Sequence, residues 1–181
     1  MELAARIARL EAESQIRQLI ARYCFTIDDR QHDAIAALFS EGAVVRSADG
    51  VMNASGIEAI MQQYESRFEA LGPGAHYMHD VQIDFIGDGS EEATGRVSGH
   101  AELERGGRMM VAGLRYADRY RNTGAGWRFQ ERVISFLYYV PVGEYRDILL
   151  HRDRNRAYAE PRPADFPEEL PGWTRGERAG G

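Results

Sequence analysis

The chain has 181 residues, a formal net charge of −6 and an apolar fraction of 44%, which fits a single hydrophobic core and excludes a disordered or fibrous protein. Every basic side chain is an arginine and acids outnumber bases 28 to 22. Nucleic acid is therefore not an expected partner, because phosphate binding needs a positive surface. The single cysteine, Cys24, cannot close an intrachain disulfide, and no run approaches the roughly 20 apolar residues that cross a membrane. These features predict a cytoplasmic protein without a membrane partner.

The first part of the chain predicts three helices and a short hairpin. Apolar residues recur every three or four positions between Met1 and Arg30, which indicates a long amphipathic helix. A short helix follows at 32–39, where Asp33 is placed to cap the free N–H groups. Asp49-Gly50 marks the turn of a two-stranded hairpin, and a third helix after it ends at Gly72-Pro73-Gly74.

Four extended runs follow, and together with the helices they predict an α+β domain. The runs cover 76–86, 92–104, 109–121 and 127–140, with glycine-containing turns between them. A curved antiparallel sheet folded over a long helix encloses an apolar pocket, where function is expected. The domain is predicted to span 1–142, and the proline-rich, highly charged segment 143–181 to form an arm. Its aromatic residues Tyr158, Phe166 and Trp173 predict that this arm packs on the domain or on a neighbouring subunit.

Two histidines begin the first long strand. Strict alternation places His79 on the apolar face with Val81 and Ile83, and His76 on the opposite face. A β-bulge near Met78 would reverse this arrangement and turn His76 inward. Without a bulge the two histidines cannot share a metal ion, and the chain has no H-E-x-x-H motif or cysteine cluster. No metal site is therefore predicted.

Three other polar side chains occur where apolar residues dominate. Asp28 closes the first helix at the negative end of its dipole, so it either solvates the turn or pairs with a histidine. Alternation places Arg132 on the face of Ile134, and a buried arginine needs an anionic partner, for which Asp28 or a leaving group is available. Tyr23 lies on the apolar face of the first helix, where it either packs in the core or presents its hydroxyl to a pocket.

Aromatic residues of the last strand complete the set of candidate binding residues. Phe136 and Tyr138 follow Arg132 at alternate positions, and such side chains suit an aromatic or steroid-sized ligand, although they also occur as ordinary core. The expected partner is therefore a small hydrophobic cyclic molecule.

Three segments, in this order along the chain, resemble the SnoaL-like branch of the nuclear-transport-factor-2-like superfamily: ARYCFTIDDRQHDAIAALF, GAHYMHDVQIDF and GWRFQERVISFLYY. This branch contains scytalone dehydratase, the lindane dehydrochlorinase and the bile acid 7α-dehydratase. The resemblance covers roughly residues 10–142. It implies a cone-shaped, cystatin-like α+β barrel and a homo-oligomer, most often a trimer.

The resemblance also implies roles for individual residues. It places the catalytic aspartate of the family at Asp28, the catalytic histidine at His76 and a cavity-facing arginine at Arg132. Alternation favours His79 instead, which is kept as the second choice for the histidine. Tyr23 matches a pocket tyrosine. These residues imply a lyase without a metal or organic cofactor, in which a His–Asp pair drives dehydration, dehydrohalogenation or aldehyde-releasing cleavage. The fold also serves isomerases, cyclases and the non-catalytic small subunit of ring-hydroxylating dioxygenases, so these remain alternatives.

Overall fold

The computed structural model describes residues 2–87 and 91–174. The helices are α1 (Leu3–Asp28), α2 (His32–Ala36), α3 (Ile57–Ala70) and α4 (Pro171–Thr174), with a 3-10 helix at Val142–Leu150. The strands are β1 (Phe39–Ser47), β2 (Asn53–Ser55), β3 (Gly74–Ile86), β4 (Glu92–Arg105), β5 (Arg108–Asn122) and β6 (Trp127–Pro141). This order confirms the predicted α+β class.

All six strands form one sheet in the order β2-β1-β6-β5-β4-β3. The strands β3 to β6 form the predicted antiparallel meander, and β1 with β2 forms the predicted hairpin. The prediction of a wholly antiparallel sheet is wrong at one pair, because β1 runs parallel to β6. This pairing joins the hairpin to the last strand of the meander and brings β1 and β6 to the same side of the core.

The core lies between the sheet and the helices. α1 packs against β3 and β6, and α3 packs against β1 and β2. Val81, Ile83 and Phe85 of β3 pack against this core, as alternation predicts. The first turns of α1 expose their apolar side chains, since its buried residues begin only at Ala12. None of the helices in the described ranges is long and apolar enough to span a membrane.

The connection from α1 to α2 is a tight turn. α1 ends at Asp28, and Arg30 adopts a left-handed backbone conformation with φ of 52°. The expectation that Asp33 caps α2 is wrong: the helix begins at His32, with Gln31 at its N-cap, so Asp33 lies inside the first turn. There its charge still faces the positive end of the helix dipole.

The predicted arm packs on the domain, which is one of the two expected positions, as far as the described residues reach; its last residues, 175–181, lie outside them. Its backbone pairs with β6: the N–H of Tyr139 donates to the carbonyl of Arg154 at 2.9 Å, and the N–H of Arg156 donates back to Tyr139 at 2.8 Å. Arg154 is buried and forms a bidentate pair with Glu168, at 2.6 and 2.8 Å. The arm therefore continues the sheet beside β6, beyond the end of β1.

Candidate active site

An inner cavity of about 70 Å³ lies between the sheet and the helices α1 and α3. Its apolar wall consists of Ile27, Val45, Met52, Phe68, Leu71, Leu103 and Ile134. The polar groups converging on it are Tyr23, Asp28, Tyr64, His76, Tyr116 and Arg132, together with Gln63 and three further arginines. An apolar enclosure with a few convergent polar groups is the usual form of a small-molecule site. None of the described arm residues lines it.

His76 and Asp28 form a closely bonded pair on this cavity. Nδ1 of His76 lies 2.6 Å from Oδ1 of Asp28, and the backbone N–H of His76 donates to Oδ2 at 2.9 Å. Both side chains are 18% exposed. Because a carboxylate only accepts, Nδ1 is the protonated ring nitrogen. Nε2 then holds the lone pair and has no hydrogen-bond partner in the described part of the chain.

A bulge in β3 brings His76 to Asp28. The register of β3 against β4 shifts between Met78 and Val81, where two residues of β3 oppose Ser98. This confirms the bulge expected near Met78 and reverses the alternation on either side of it. His76 therefore faces the helices, although the plain pattern places His79 there. Two hydrogen bonds to His76 offset the unfavourable position of Asp28 at the C-terminus of α1.

Arg132 points inward, as alternation predicts, but its anionic partner is Asp118 of β5 and not Asp28. Nε and Nη2 of Arg132 donate to the two carboxylate oxygens at 2.9 and 2.8 Å, and the side chains are 1% and 0% exposed. Burial lowers the pKa of Arg132, but the Asp118 charge outweighs it and leaves that pKa well above its ordinary value. The arginine therefore stays charged.

A second polar contact holds Asp118. The hydroxyl of Tyr120 donates to its Oδ2 at 2.8 Å. The ring of Tyr120 lies against Gly95 of β4, where a Cβ atom would come within 2.6 Å of it. Glycine at this position therefore leaves the space that Tyr120 needs to reach Asp118.

Three aromatic rings surround the Arg132 guanidinium. Its central carbon lies 4.0–4.1 Å from the ring centroids of Tyr23, Tyr116 and Phe129, within the range of cation–π attraction. Nη1 is buried and has no hydrogen-bond partner in the described residues. The inner end of the cavity thus carries a donor without an acceptor.

The tyrosine hydroxyls add further donors. Tyr23 and Tyr64 are 3.0 Å apart, oxygen to oxygen, so one O–H donates to the other and the second O–H remains free. Tyr116 has no hydrogen-bond partner within the described ranges. Burial raises the pKa of Tyr64 and of Tyr116 well above the ordinary value, so both stay protonated. This end of the cavity is suited to a ligand that accepts hydrogen bonds.

Three of the predicted binding residues do not line the inner cavity. His79 lies on the opposite sheet face, where its Nε2 is 2.7 Å from Nδ1 of His100. Tyr138 also faces outward, because a second bulge adds Leu137 between it and Phe136. Phe136 is buried at 2% exposure but packs in the core against Tyr139. We call the outer depression shared by His79 and Tyr138 the outer groove.

The sequence patterns did not identify Tyr64 and Tyr116 as cavity residues, or Asp118 as the partner of Arg132. Tyr64 belongs to the apolar stripe of α3, where the pattern cannot distinguish core from cavity. Asp118 alternates with Tyr116 and Tyr120 on the inward face of β5, and a carboxylate among apolar residues was the available signal. Within 2–87 and 91–174, no three His, Cys, Asp or Glu side chains are grouped so that they could hold a metal ion.

Residues 8–133 match the SnoaL-like domain family. The chain belongs to this family. No curated protein matches it significantly in sequence. One similar structure is a provisionally assigned scytalone dehydratase from Novosphingobium aromaticivorans, with 20% identity, a TM-score of 0.69, and coverage of 75% of this chain and 91% of that one.

Two other solved structures have the same fold. The hexachlorocyclohexane dehydrochlorinase LinA-type3 from Novosphingobium barchaimii is 17% identical, with a TM-score of 0.69 over 76% of this chain and 94% of that one. An NTF2-like protein with a cystatin-like fold from N. aromaticivorans is 28% identical, with a TM-score of 0.60 over 75% and 88% of the two chains. These likenesses confirm the predicted fold, including its cystatin-like character.

Proposed function

We propose that this SnoaL-like protein is a cofactor-independent lyase that catalyses a base-promoted elimination on a hydrophobic cyclic or aromatic small molecule. The reaction is a dehydration, a dehydrohalogenation or an aldehyde-releasing C–C cleavage. The observation that carries the proposal is the His76–Asp28 pair, bonded at 2.6 Å with Nε2 left unpartnered among the described residues, on a cavity that has an apolar wall and several hydrogen-bond donors. The dehydratase and dehydrochlorinase named among the similar structures support the same reaction class.

In this proposal Nε2 of His76 takes a proton from a substrate carbon. The electron pair of that C–H bond forms the new double bond, and the leaving group departs from the adjacent carbon with its own bonding pair. In an aldehyde-releasing cleavage, Nε2 instead takes the proton of a substrate hydroxyl. The O–H electron pair then forms the C=O bond of the aldehyde, and the C–C bonding pair stays on the departing carbon, which takes up the proton from the imidazolium. Asp28 fixes the tautomer and stabilises the imidazolium that forms. In a dehydration, the imidazolium can return its proton to the departing oxygen, so that water is released.

The donor-rich end of the cavity has a complementary task. The free O–H of the Tyr23–Tyr64 pair and the O–H of Tyr116 stabilise negative charge on a carbonyl or leaving group as it develops. Arg132 strengthens these donors, because its positive charge lies directly against the rings of Tyr23 and Tyr116. Arg132 thus acts through the rings of Tyr23 and Tyr116. Its charge has a strong effect there because the dielectric constant of a buried site is low.

The test is a screen of hydroxylated and halogenated cyclic compounds, with loss of water, hydrogen halide or an aldehyde detected by mass spectrometry. With an active compound, His76→Ala and Asp28→Asn should each lower kcat by about 10²–10⁴-fold, the usual contribution of general-base catalysis. The double variant should be little worse than either single one, because the two residues act as a unit. His79→Ala is the matched control, three residues away on the other sheet face, and should retain activity.

Three results would contradict the proposal. Loss of activity in His79→Ala but not in His76→Ala would show that the base is His79 and not His76. Full activity in both variants would leave binding or positioning as the role of the cavity. A product of unchanged mass would indicate the isomerase alternative, in which the same base moves a proton within the substrate.

A further inference from the structure

The cavity lining is positively charged although the chain is acidic. Four arginines line it, Arg30, Arg46, Arg67 and Arg132, against one carboxylate, Asp28. The whole chain carries a formal charge of −6. Chance placement would therefore favour an acidic lining, and the excess of arginine is a property of this site.

Two of these arginines are neutralised by partners outside the lining. Arg132 is paired with Asp118, and Nε of Arg46 donates to Oε1 of Glu131 at 2.9 Å. Arg30 and Arg67 form no ion pair with a carboxylate in the described part of the chain. With Asp28 ionised and His76 neutral, one positive charge remains uncompensated.

Arg30 and Arg67 reach the cavity from different elements. Arg30, after α1, donates to the carbonyls of Leu71 and Gly72 at 2.5 and 3.2 Å, which leaves its charge without a counter-ion. Arg67 of α3 donates only to the sulfur of Met52, at 3.3 Å, and a thioether is a weak acceptor. Most of the donor capacity of Arg67 is therefore free.

Solvent exposure separates the two ends of the cavity. Tyr23, Tyr64 and Arg132 are buried, whereas Arg30 is exposed and Arg67 is half-buried. The free cations therefore lie toward solvent, and the neutral donors lie inside. A guanidinium at such a position binds a carboxylate or a phosphate through two parallel N–H···O bonds.

We infer that the substrate carries an anionic group, a carboxylate or a phosphate, which Arg67 and Arg30 bind at the open end while its apolar ring enters the cavity. The inference rests on the proposed function, since it takes the cavity as the substrate site. Arg67 is the specificity-determining residue, because Arg30 is partly engaged with backbone carbonyls. The Asp28 carboxylate repels an anionic group. The contact of that group with Arg67 and Arg30 therefore also directs the ring of the substrate toward His76.

Probes of matched shape test the inference without a known substrate. Benzoate, phenyl phosphate and neutral benzamide are titrated by calorimetry, and the NMR signal of the His76 imidazole reports whether each enters the cavity. Benzoate or phenyl phosphate should bind about tenfold or more tightly than benzamide, as expected for charge-assisted hydrogen bonds. Arg67→Gln should remove most of that preference and leave benzamide binding unchanged. Arg22→Gln, an exposed arginine of α1 outside the cavity, should behave as wild type.

The affinities of benzoate and phenyl phosphate are then compared. The tighter-binding probe shows whether the anionic group of the substrate is a carboxylate or a phosphate. Equal binding of charged and neutral probes, binding of none, or an anion preference that survives in the Arg30→Gln/Arg67→Gln variant would overturn the inference. The elimination screen is scored separately. His76-dependent turnover of neutral compounds would support the proposed function but contradict the inference that the substrate is an anion.

Discussion

Arg132 and Asp118 are both excluded from solvent, so each depends on the other for compensation of its charge. A buried ion pair contributes little compared with apolar residues of the same size, but removal of one partner is costly because it strands the other charge. This asymmetry is relevant to any variant of the site, because lost activity can follow from lost stability. Substitution of Arg132 would leave Asp118 as an unpaired buried charge. The sequence had suggested Asp28 for this role.

Asp118→Asn should therefore destabilise the fold by about 3–5 kcal/mol, because it keeps the shape of the side chain but removes the charge that balances Arg132. Urea unfolding measures this. Glu131→Gln is the matched control: it breaks the partly exposed pair with Arg46, and such pairs contribute about 0–1 kcal/mol. Equal losses in the two variants would show that Asp118 is not the essential partner of Arg132.

At the scale of elements, two of the register shifts in the sheet, near Met78 of β3 and at Leu137 of β6, decide which candidate site residues meet. The bulge in β3 directs His76 to Asp28 and His79 to His100. The bulge in β6 directs Tyr138 away from the face of Arg132. Since the side-chain period of a strand is two, one inserted residue exchanges the faces of everything beyond it. The arrangement of the candidate site is thus a consequence of local register.

One ion pair of the arm, between Arg154 and Glu168, has its arginine fully buried. The hydrogen bond from Arg154 is the main cause that lowers the pKa of Glu168 below its ordinary value of 4.5. A carboxyl pKa that is lower in the folded state stabilises the fold above the ordinary pKa. That contribution is lost as the pH falls from 4.5 through the folded-state value.

Glu168→Gln should therefore lower stability at neutral pH by about 1–3 kcal/mol and flatten the acid dependence of unfolding below pH 4.5. Thermal melts over a pH series provide the measurement. Glu169→Gln, at an adjacent residue that is 66% exposed in its surface pair with Arg152, serves as the control and should change little. An unaltered acid profile in Glu168→Gln would mean that the pair does not hold the arm.

At the scale of the whole molecule, the helices and the arm leave the outer groove and its surroundings open. Tyr77, Met109 and Tyr145 are 47–49% exposed there, and large apolar surface of this kind marks an interaction site. The family resemblance implies a trimer. The homo-oligomer, and the trimer in particular, stay predictions for this chain.

Sedimentation velocity at micromolar concentration should give a mass near three times the 20.4 kDa of one chain. Tyr77→Glu should shift the population to smaller species, because it places a charge among the exposed apolar residues of the outer face. Phe25→Glu, at a 70% exposed site on α1, should leave the mass unchanged. A monomeric wild type would contradict the prediction.

The sequence alone determined the element order, because apolar periodicity and glycine-rich turns act locally along the chain. The long first helix, the hairpin at Asp49-Gly50 and the four-strand meander all follow from such patterns, and the structure has each of them. Inward placement of Arg132 also followed from alternation. The aromatic residues of the arm indicated that it packs, but composition could not show that its backbone extends the sheet beside β6.

Only the tertiary structure decided which distant residues meet. The parallel pairing of β1 with β6, the Asp118 partner of Arg132 and the Tyr23–Tyr64 contact join residues far apart in the chain. Nothing local in the sequence encodes such contacts. The choice between His76 and His79 depended on a bulge whose position is set by pairing with β4. A shift of one residue in register exchanges the two faces of a strand. The sequence pattern therefore left both histidines as candidates, and only the folded sheet shows which of them faces Asp28.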